Sequence, residues 1–180
     1  MNGRTQWRGR PDGGPSVVVL PGDNRTVPVT RVRPVDVAEL RGFLAEVDLT
    51  LAGLDAPTVR LWVDRDASGV IVGSTGFELS ADGAHALIRS VAVRPGIRNT
   101  GAGTRLALFA LAEAEASGAS TAWLFSRRSG PFWQKLGFEP ADRDALAAAL
   151  PDTHQVRLFA STGQLAREAA WSRQLDGAGR

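Results

Sequence analysis

The chain has 180 residues, a formal net charge of +2 and 43% hydrophobic residues, enough for one ordinary domain whose core needs no covalent staple. With no cysteine it carries no disulfide, thiolate zinc site or cysteine nucleophile, and with no tyrosine any mechanism must do without a phenol. The two histidines, His85 and His154, lie far apart in sequence, so no histidine-rich metal centre is expected.

Residues 1–25 read as a polar, Gly/Arg-rich leader, broken by Gly13-Gly14-Pro15 and Pro21-Gly22-Asp23. The first 15 residues lack the apolar centre of a signal peptide, and no stretch of 18 apolar residues follows, so the expected setting is cytoplasmic, without a membrane span. The domain itself is expected over residues 26–160. It opens with a β-like run through Val27, Val29 and Val32 that stops at Pro34. Asp36 and Glu39 form a capping-box pattern, and Val37, Leu40, Phe43, Leu44 and Val47 recur at helical spacing. Residues 49–54 read as a second short helix. Strands are expected at 59–63, 70–79 and 86–93, separated by the turn clusters 64–69 and Ser80-Ala81-Asp82-Gly83, which makes an antiparallel meander. The pattern then alternates. An Ala/Leu-rich helix over 103–117 ends at Gly118, a strand covers 121–125, and a helical turn over 131–136 ends at Gly137. A strand starts at Phe138, a short helix covers 144–150, and a last strand covers 155–159. Residues 161–180 form a C-terminal segment, read as a helix capped by Ser161 or Thr162.

The chemistry concentrates where the meander ends, in Ser90-Val91-Ala92-Val93-Arg94-Pro95-Gly96-Ile97-Arg98-Asn99-Thr100-Gly101-Ala102-Gly103-Thr104. A strand gives way to a Gly-containing loop and then to a helix. Such a loop turns backbone N–H groups inward as an anion nest, and the helix start adds unpaired N–H groups and the positive end of a dipole. Arg98 adds a fixed charge, and Gly101 and Gly103 let the backbone come close to phosphate oxygens. The expected ligand group is a phosphate or pyrophosphate; the competing reading is a plain strand-to-helix turn. No Lys-Ser/Thr follows the glycines, so this is not a P-loop. The preceding antiparallel meander and the missing acidic residue about 20 positions on argue against a dinucleotide fold.

Arg98-x-x-Gly101-x-Gly103 resembles the Gln/Arg-x-x-Gly-x-Gly/Ala acetyl-coenzyme A loop of the GNAT N-acetyltransferase superfamily. Downstream, Phe132-Trp133-Gln134-Lys135-Leu136-Gly137-Phe138 resembles that superfamily's Phe-Tyr-x-x-x-Gly-Phe segment. The two motifs stand in register with the expected element order over about residues 27–160. The resemblance implies a single α/β (α+β) domain: a mixed, mostly antiparallel central sheet flanked by helices, with acetyl-coenzyme A as cofactor. It also implies that Val91 and Val93 offer backbone groups to the pantetheine arm. Asn99, Thr100, Gly101, Ala102, Gly103 and Thr104 would hold the pyrophosphate, with Arg98 beside them. Ser126 stands where many members place an Asn that bonds the pantetheine. Trp133 stands where many place a Tyr that protonates the departing thiolate; an indole N–H donates but is no acid at neutral pH. Residues 87–93, 132–137 and 138–143 are similar to the arsenic-resistance branch of the superfamily, whose usual cysteine-containing tail has no counterpart in residues 161–180.

An amine attacks only when neutral, so a base is needed. Glu78, between Phe77 and Leu79 near the end of an apolar strand, is the candidate, acting directly or through one water. The alternatives are a solvated Glu or a partner of Arg89 across the hairpin. His85 is a second candidate base, beside the Asp82-Gly83 turn, and His154 after Pro151 reads as a surface residue. Arg89 is the candidate anchor for an acidic group of the substrate, or a structural ion pair. Arg127 and Arg128 read as solvated or as contacts for the 3′-phosphate of coenzyme A.

The function implied is transfer of acetyl to a primary amine of a small, amino-acid-like acceptor, in arsenic or antimetabolite resistance, by a monomer or homodimer. The alternative is a weakly catalytic, GNAT-like acyl-coenzyme A sensor. The isoelectric point near 10.3 does not signal nucleic-acid binding. Lys135 is the only lysine and the arginines are dispersed, so a small surplus of arginine sets the value where almost nothing else titrates.

Overall fold

The computed structural model describes residues 16–18 and 27–176. The expected leader therefore lies outside the described residues, apart from β1 (Ser16–Val18), which pairs antiparallel with β2 (Val27–Arg31). The meander is β3 (Val59–Arg65), β4 (Ile71–Leu79) and β5 (His85–Val93), antiparallel throughout. β6 (Thr121–Phe125) runs parallel to β5, and β7 (Glu139–Ala141) and β8 (Ala170–Gln174) close the sheet in antiparallel pairs. The strand order is β1-β2-β3-β4-β5-β6-β8-β7. The helices are α1 (Val37–Glu46), α2 (Ala102–Ala116), α3 (Gly130–Lys135), α4 (Arg143–Ala149) and α5 (His154–Ser161). This is the mixed, mostly antiparallel α/β architecture the motifs imply.

Strand alternation loads both faces of the sheet. On one, α2 sets Leu106, Phe109 and Ala110 against Phe77, Ala86 and Ile88. On the other, α1 sets Leu40, Phe43 and Leu44 against Leu61, Val63 and Ile71, while α4 and α5 bring Leu146 and Val156 to Leu87. Between these last two clusters the sheet carries polar groups.

Three local expectations change. Residues 49–54 form turns rather than a helix, with Gly53 at φ +67. Residues 155–159 are helical, not a strand: Val156 and Phe159 share the buried face at helical spacing while Leu158 stays 37% exposed. Five residues fit either period, and packing decides. The C-terminal segment, expected as a helix, gives a 3-10 turn (Gln164–Arg167) and then β8, whose backbone pairs on both sides with β6 and β7.

The capping-box pattern is also used differently. Asp36 does not cap α1. Its carboxylate accepts the Arg33 N–H at 2.9 Å and the guanidinium groups of Arg33 and Arg65 at 3.1–3.2 Å. Glu39 accepts from Ile71 N–H (3.2 Å) and Arg65 (2.7 Å), tying the β3–β4 turn to α1. The Arg33 hydrogen bond holds the Asp36 carboxyl below the usual carboxylate range. Its folded value lies below its unfolded one, so its contribution is complete above the unfolded value near 4 and fades as the pH falls through the lower folded one. Asp36→Asn is expected to lose about 1 kcal/mol at pH 7 and to flatten the acid limb of stability. Denaturant titrations at pH 7 and pH 3 check this, and an unchanged pH dependence counts against it.

Candidate active site

β5 and β6 run together for only three residues. His85, Ala86 and Leu87 pair with Thr121, Ala122 and Trp123, and beyond them the strands part, while β5 stays paired with β4 as far as Val93. A bulge accompanies the parting. Ser90 takes φ +58, the register with β4 shifts between Ser74 and Gly76, and Ser74 Oγ donates to the Ser90 carbonyl at 2.6 Å. Bulges sharpen the local twist and re-aim a strand. The result is a fork with one open strand edge. Arg94 N–H returns to the Val72 carbonyl of β4 at 2.8 Å. By alternation, the backbone groups of Val93 and Val91 face the fork, where an extended ligand can pair as an added strand.

The mouth of the fork is the loop into α2. Pro95–Ile97 makes a 3-10 turn, and Asn99 and Gly101 take φ +68 and +83. No side chain caps α2, and the Arg105 N–H is the first in the helix to meet a carbonyl, that of Gly101 at 3.1 Å. The N–H groups of Ala102, Gly103 and Thr104 are thus left to an outside acceptor at the positive end of the helix dipole. Thr100 Oγ1 donates to the Ile97 carbonyl (2.8 Å), and Arg98 folds back so that its Nε reaches the Val93 carbonyl (3.3 Å).

A buried polar cluster lies one strand over from the apex of the fork. Glu78 on β4 sits opposite Leu87, the last residue of β5 that pairs with β6. The Glu78 side chain is 1% exposed and that of Arg89 0%, with Arg89 Nη1 at 3.6 Å from Glu78 Oε2. Arg89 Nη2 donates to the Ala52 carbonyl (2.6 Å), but Nε and Nη1 have no hydrogen-bond partner among the described residues. Burial pulls the Arg89 guanidinium down to about 10, against the upward pull of the Glu78 carboxylate. Thr58 Oγ1 donates to Glu78 Oε1 at 3.2 Å. His154, read from sequence as a surface residue, stands in the first turn of α5 and bonds Glu78 twice. Its N–H donates to Oε2 (3.0 Å), and its Nδ1 lies 2.7 Å from Oε1. A Cβ on Gly53 would sit 2.5 Å from His154 Cγ, so only glycine lets the 49–54 turn lie on that ring. His85 is engaged elsewhere, its Nδ1 accepting from Trp123 Nε1 at 3.2 Å.

A family model described as the acetyltransferase (GNAT) family matches residues 33–138. The chain belongs to the GNAT acetyltransferase family. Membership makes it an acetyltransferase by family. Solved GNAT-type structures share the fold. N-acetylglutamate synthase from Neisseria gonorrhoeae, complexed with coenzyme A and N-acetyl-glutamate, aligns at TM-score 0.66 and 21% identity over 85% of this chain and 36% of that one. This chain therefore spans about a third of the synthase. A GNAT acetyltransferase from Staphylococcus aureus Mu50 aligns at TM-score 0.66 and 14% identity over 82% and 98% of the two chains. An aminoglycoside 6′-N-acetyltransferase complexed with coenzyme A gives 0.60 and 12% over 84% and 99%. No curated protein matches the sequence.

In this GNAT chain the second prong of the fork is β6 and the turn into α3. Ser126 follows directly on β6, where its Oγ accepts the Ser129 N–H (3.1 Å) and its carbonyl accepts Trp171 Nε1 (2.8 Å). Trp133 is 7% exposed, packed edge-on between Phe132 and Phe138 at 4.9 and 5.4 Å. Arg127 and Arg128 are exposed, near Glu168 (3.5 Å) and Asp48 (3.8 Å). Val91, Val93, Arg98 and residues 99–104 thus line one prong and its mouth, Ser126 and Trp133 belong to the other, Arg89 stands on the β5 prong just past the apex, and Glu78 lies one strand over on β4. No helix among the described residues is long and apolar enough to cross a membrane. The sequence reading missed the joining of His154, Thr58 and Ala52 to this cluster. Pro151 followed by Thr153 signals a helix start and would have placed His154 in a first turn. Its meeting with Glu78, 76 positions away, has no local signal.

Proposed function

We propose that the protein transfers the acetyl group of acetyl-coenzyme A to the primary amine of a small, amino-acid-like acceptor. The observation that carries this reading is the fork, open at the uncapped start of α2 and closed beside the Glu78–Arg89 cluster. From Val93 back to Arg89 a strand rises about 13 Å, comparable to an extended pantetheine arm. The N–H groups of Gly101, Ala102, Gly103 and Thr104, with Asn99, Thr100 and Arg98 beside them, suit a diphosphate. Val91 and Val93 would pair with the arm's amides, and Ser126 and Trp133 would line its other side. When bound, acetyl-coenzyme A supplies a thioester carbonyl open to an amine. The chain's own part is to hold the acceptor in line and dry.

Arg89 supports the acceptor class. Unpaired buried N–H groups cost roughly 1–3 kcal/mol each, and a carboxylate matches the guanidinium fork. The 49–54 turn, bound to Arg89 through Ala52, must lift to admit it. Amino-acid analogues bearing arsenic or phosphorus, and a role in resistance to them, fall within this class on the likeness of residues 87–93 and 132–143. The catalytic domain in this reading includes β8 and runs to about residue 176.

At about 100 times its Kd, acetyl-coenzyme A is expected to raise the melting temperature by roughly 5–10 °C. Release of free coenzyme A with an amino acid, but not with its decarboxylated amine, supports the acceptor reading. No melting shift overturns it. A shift without turnover on a panel of amino acids, aminoglycosides and arsenic- or phosphorus-bearing analogues favours the second reading, an acyl-coenzyme A sensor. The buried Trp133 in a chain without tyrosine motivates that alternative.

A further inference from the structure

We propose that His154, not Glu78, is the base that takes the proton from the acceptor amine, and that Glu78 is a positioning residue behind it. The inference rests on the acetyltransferase reading above.

Glu78 is ill placed to meet a substrate. Both carboxylate oxygens are occupied, Oε1 by Thr58 Oγ1 and His154 Nδ1, Oε2 by the His154 N–H and the nearby Arg89, and the side chain is 1% exposed. His154 is 38% exposed. Its Cβ, Cγ and Cδ2 lie over Gly53 and its Nδ1 is turned to Glu78, so the part of the ring that neither engages carries Nε2. A carboxylate only accepts hydrogen bonds, so the Nδ1–Oε1 contact places the proton of the neutral ring on Nδ1 and the free lone pair on Nε2. The buried negative charge then stabilises the imidazolium that forms, as an acid partner does behind a catalytic histidine. On the other side the Arg89 guanidinium lies 3.6 Å from the carboxylate, and the His154 N–H, at the start of α5, fixes the carboxylate's rotation.

The charged groups around the ring are few. Glu78 comes from β4 and Arg89 from β5. On the approach to α5 and its first turn, Asp152 and Arg157 pair with each other at 2.8 Å. The turn against the ring, Ala52 to Asp55, carries one charge, Asp55 at its exposed end. The dyad stands one strand from the apex of the fork, the end of the slot opposite the α2 mouth. In the step itself the acceptor ammonium gives one proton to Nε2. The freed nitrogen lone pair forms the C–N bond to the acetyl carbon, the C–S bond breaks with its electron pair leaving on sulfur, and the second proton that the new amide nitrogen must shed passes to that thiolate or to solvent.

The test compares wild type with His154→Gln, which keeps a donor toward Glu78 but has no basic nitrogen, and with His154→Ala. At pH 7 His154→Gln is expected to lose about 10²–10³-fold in kcat/KM. The wild-type rate should rise with pH and level off below the range in which the acceptor's own ammonium loses its proton. The variant should instead follow the acceptor's own ammonium, rising tenfold per pH unit to higher pH. Added imidazole should rescue His154→Ala. ¹⁵N NMR of the ligand-free protein should show the Nδ1–H tautomer for His154. A His154→Gln enzyme with wild-type kcat/KM and pH profile, or an Nε2–H tautomer, overturns the assignment while leaving the acetyltransferase reading intact. A wild type that binds acetyl-coenzyme A but acetylates no amine overturns both, and the melting shift of His154→Gln separates lost chemistry from lost cofactor binding.

Discussion

Replacing Gly101 by valine is expected to abolish the rise in melting temperature that acetyl-coenzyme A gives the wild-type protein. Gly101 has φ +83 at the N-cap of α2, a conformation that a β-branched residue tolerates poorly. Strain there should lower stability by about 1–2 kcal/mol. The functional effect is larger. To relieve the strain the chain must rotate the peptide that aims the Ala102 N–H, and the new side chain projects where the diphosphate would lie. A loss of at least 100-fold in acetyl-coenzyme A affinity is expected, enough to erase a shift of roughly 5–10 °C. Gly103 is the internal control. A Cβ there would lie 3.7 Å from Val93 and 3.8 Å from Phe132, ordinary contact distances, so Gly103→Ala should bind nearly as wild type does. Scanning calorimetry with and without acetyl-coenzyme A decides. A Gly101→Val protein with the full shift removes the helix start from the site.

The second large effect concerns the buried pair. Glu78→Leu leaves the Arg89 guanidinium enclosed with no counter-charge, and an uncompensated buried charge destabilises by about 3–5 kcal/mol. In a domain of this size that is a drop of roughly 10 °C or more. The clusters on either side are apolar, contributed by Leu61, Val59 and Leu54 on one flank and Leu87, Val156 and Leu150 on the other. The double variant Glu78→Leu/Arg89→Met should therefore regain at least half of the loss, because a methionine fits where an arginine stem lay without a charge to solvate. Denaturant titration of the two variants reads this directly. A double variant as unstable as the single one would show that Arg89 contributes through its Ala52 bond and its packing, and not as a partner of Glu78.

The loop before α2 was legible from sequence because its requirements are local. A glycine at a positive φ, a second glycine two positions on and a helix start without a capping side chain are properties of adjacent residues, and their spacing survives in one dimension. The meander was legible for the same reason, through alternation and turn residues at Asp82-Gly83. β8 and α5 were not. Ala170–Gln174 has one buried residue, and its place between β6 and β7 is held by backbone hydrogen bonds that no side-chain pattern announces. Gln155–Phe159 satisfies two periods over five residues, and only contact with Leu87 and its neighbours selects the helix.

The chain's order of residues determined the family and the glycine-bearing turn into α2, since the motifs that mark them depend on contacts within a few positions. Tertiary structure alone decided that Glu78 is shut away, that Arg89 is roofed by Ala52 and that His154 meets Glu78 from 76 positions away. The physical reason is that burial and charge pairing depend on which surfaces the fold presses together, and a carboxylate's role changes from base to support once another chain segment closes over it.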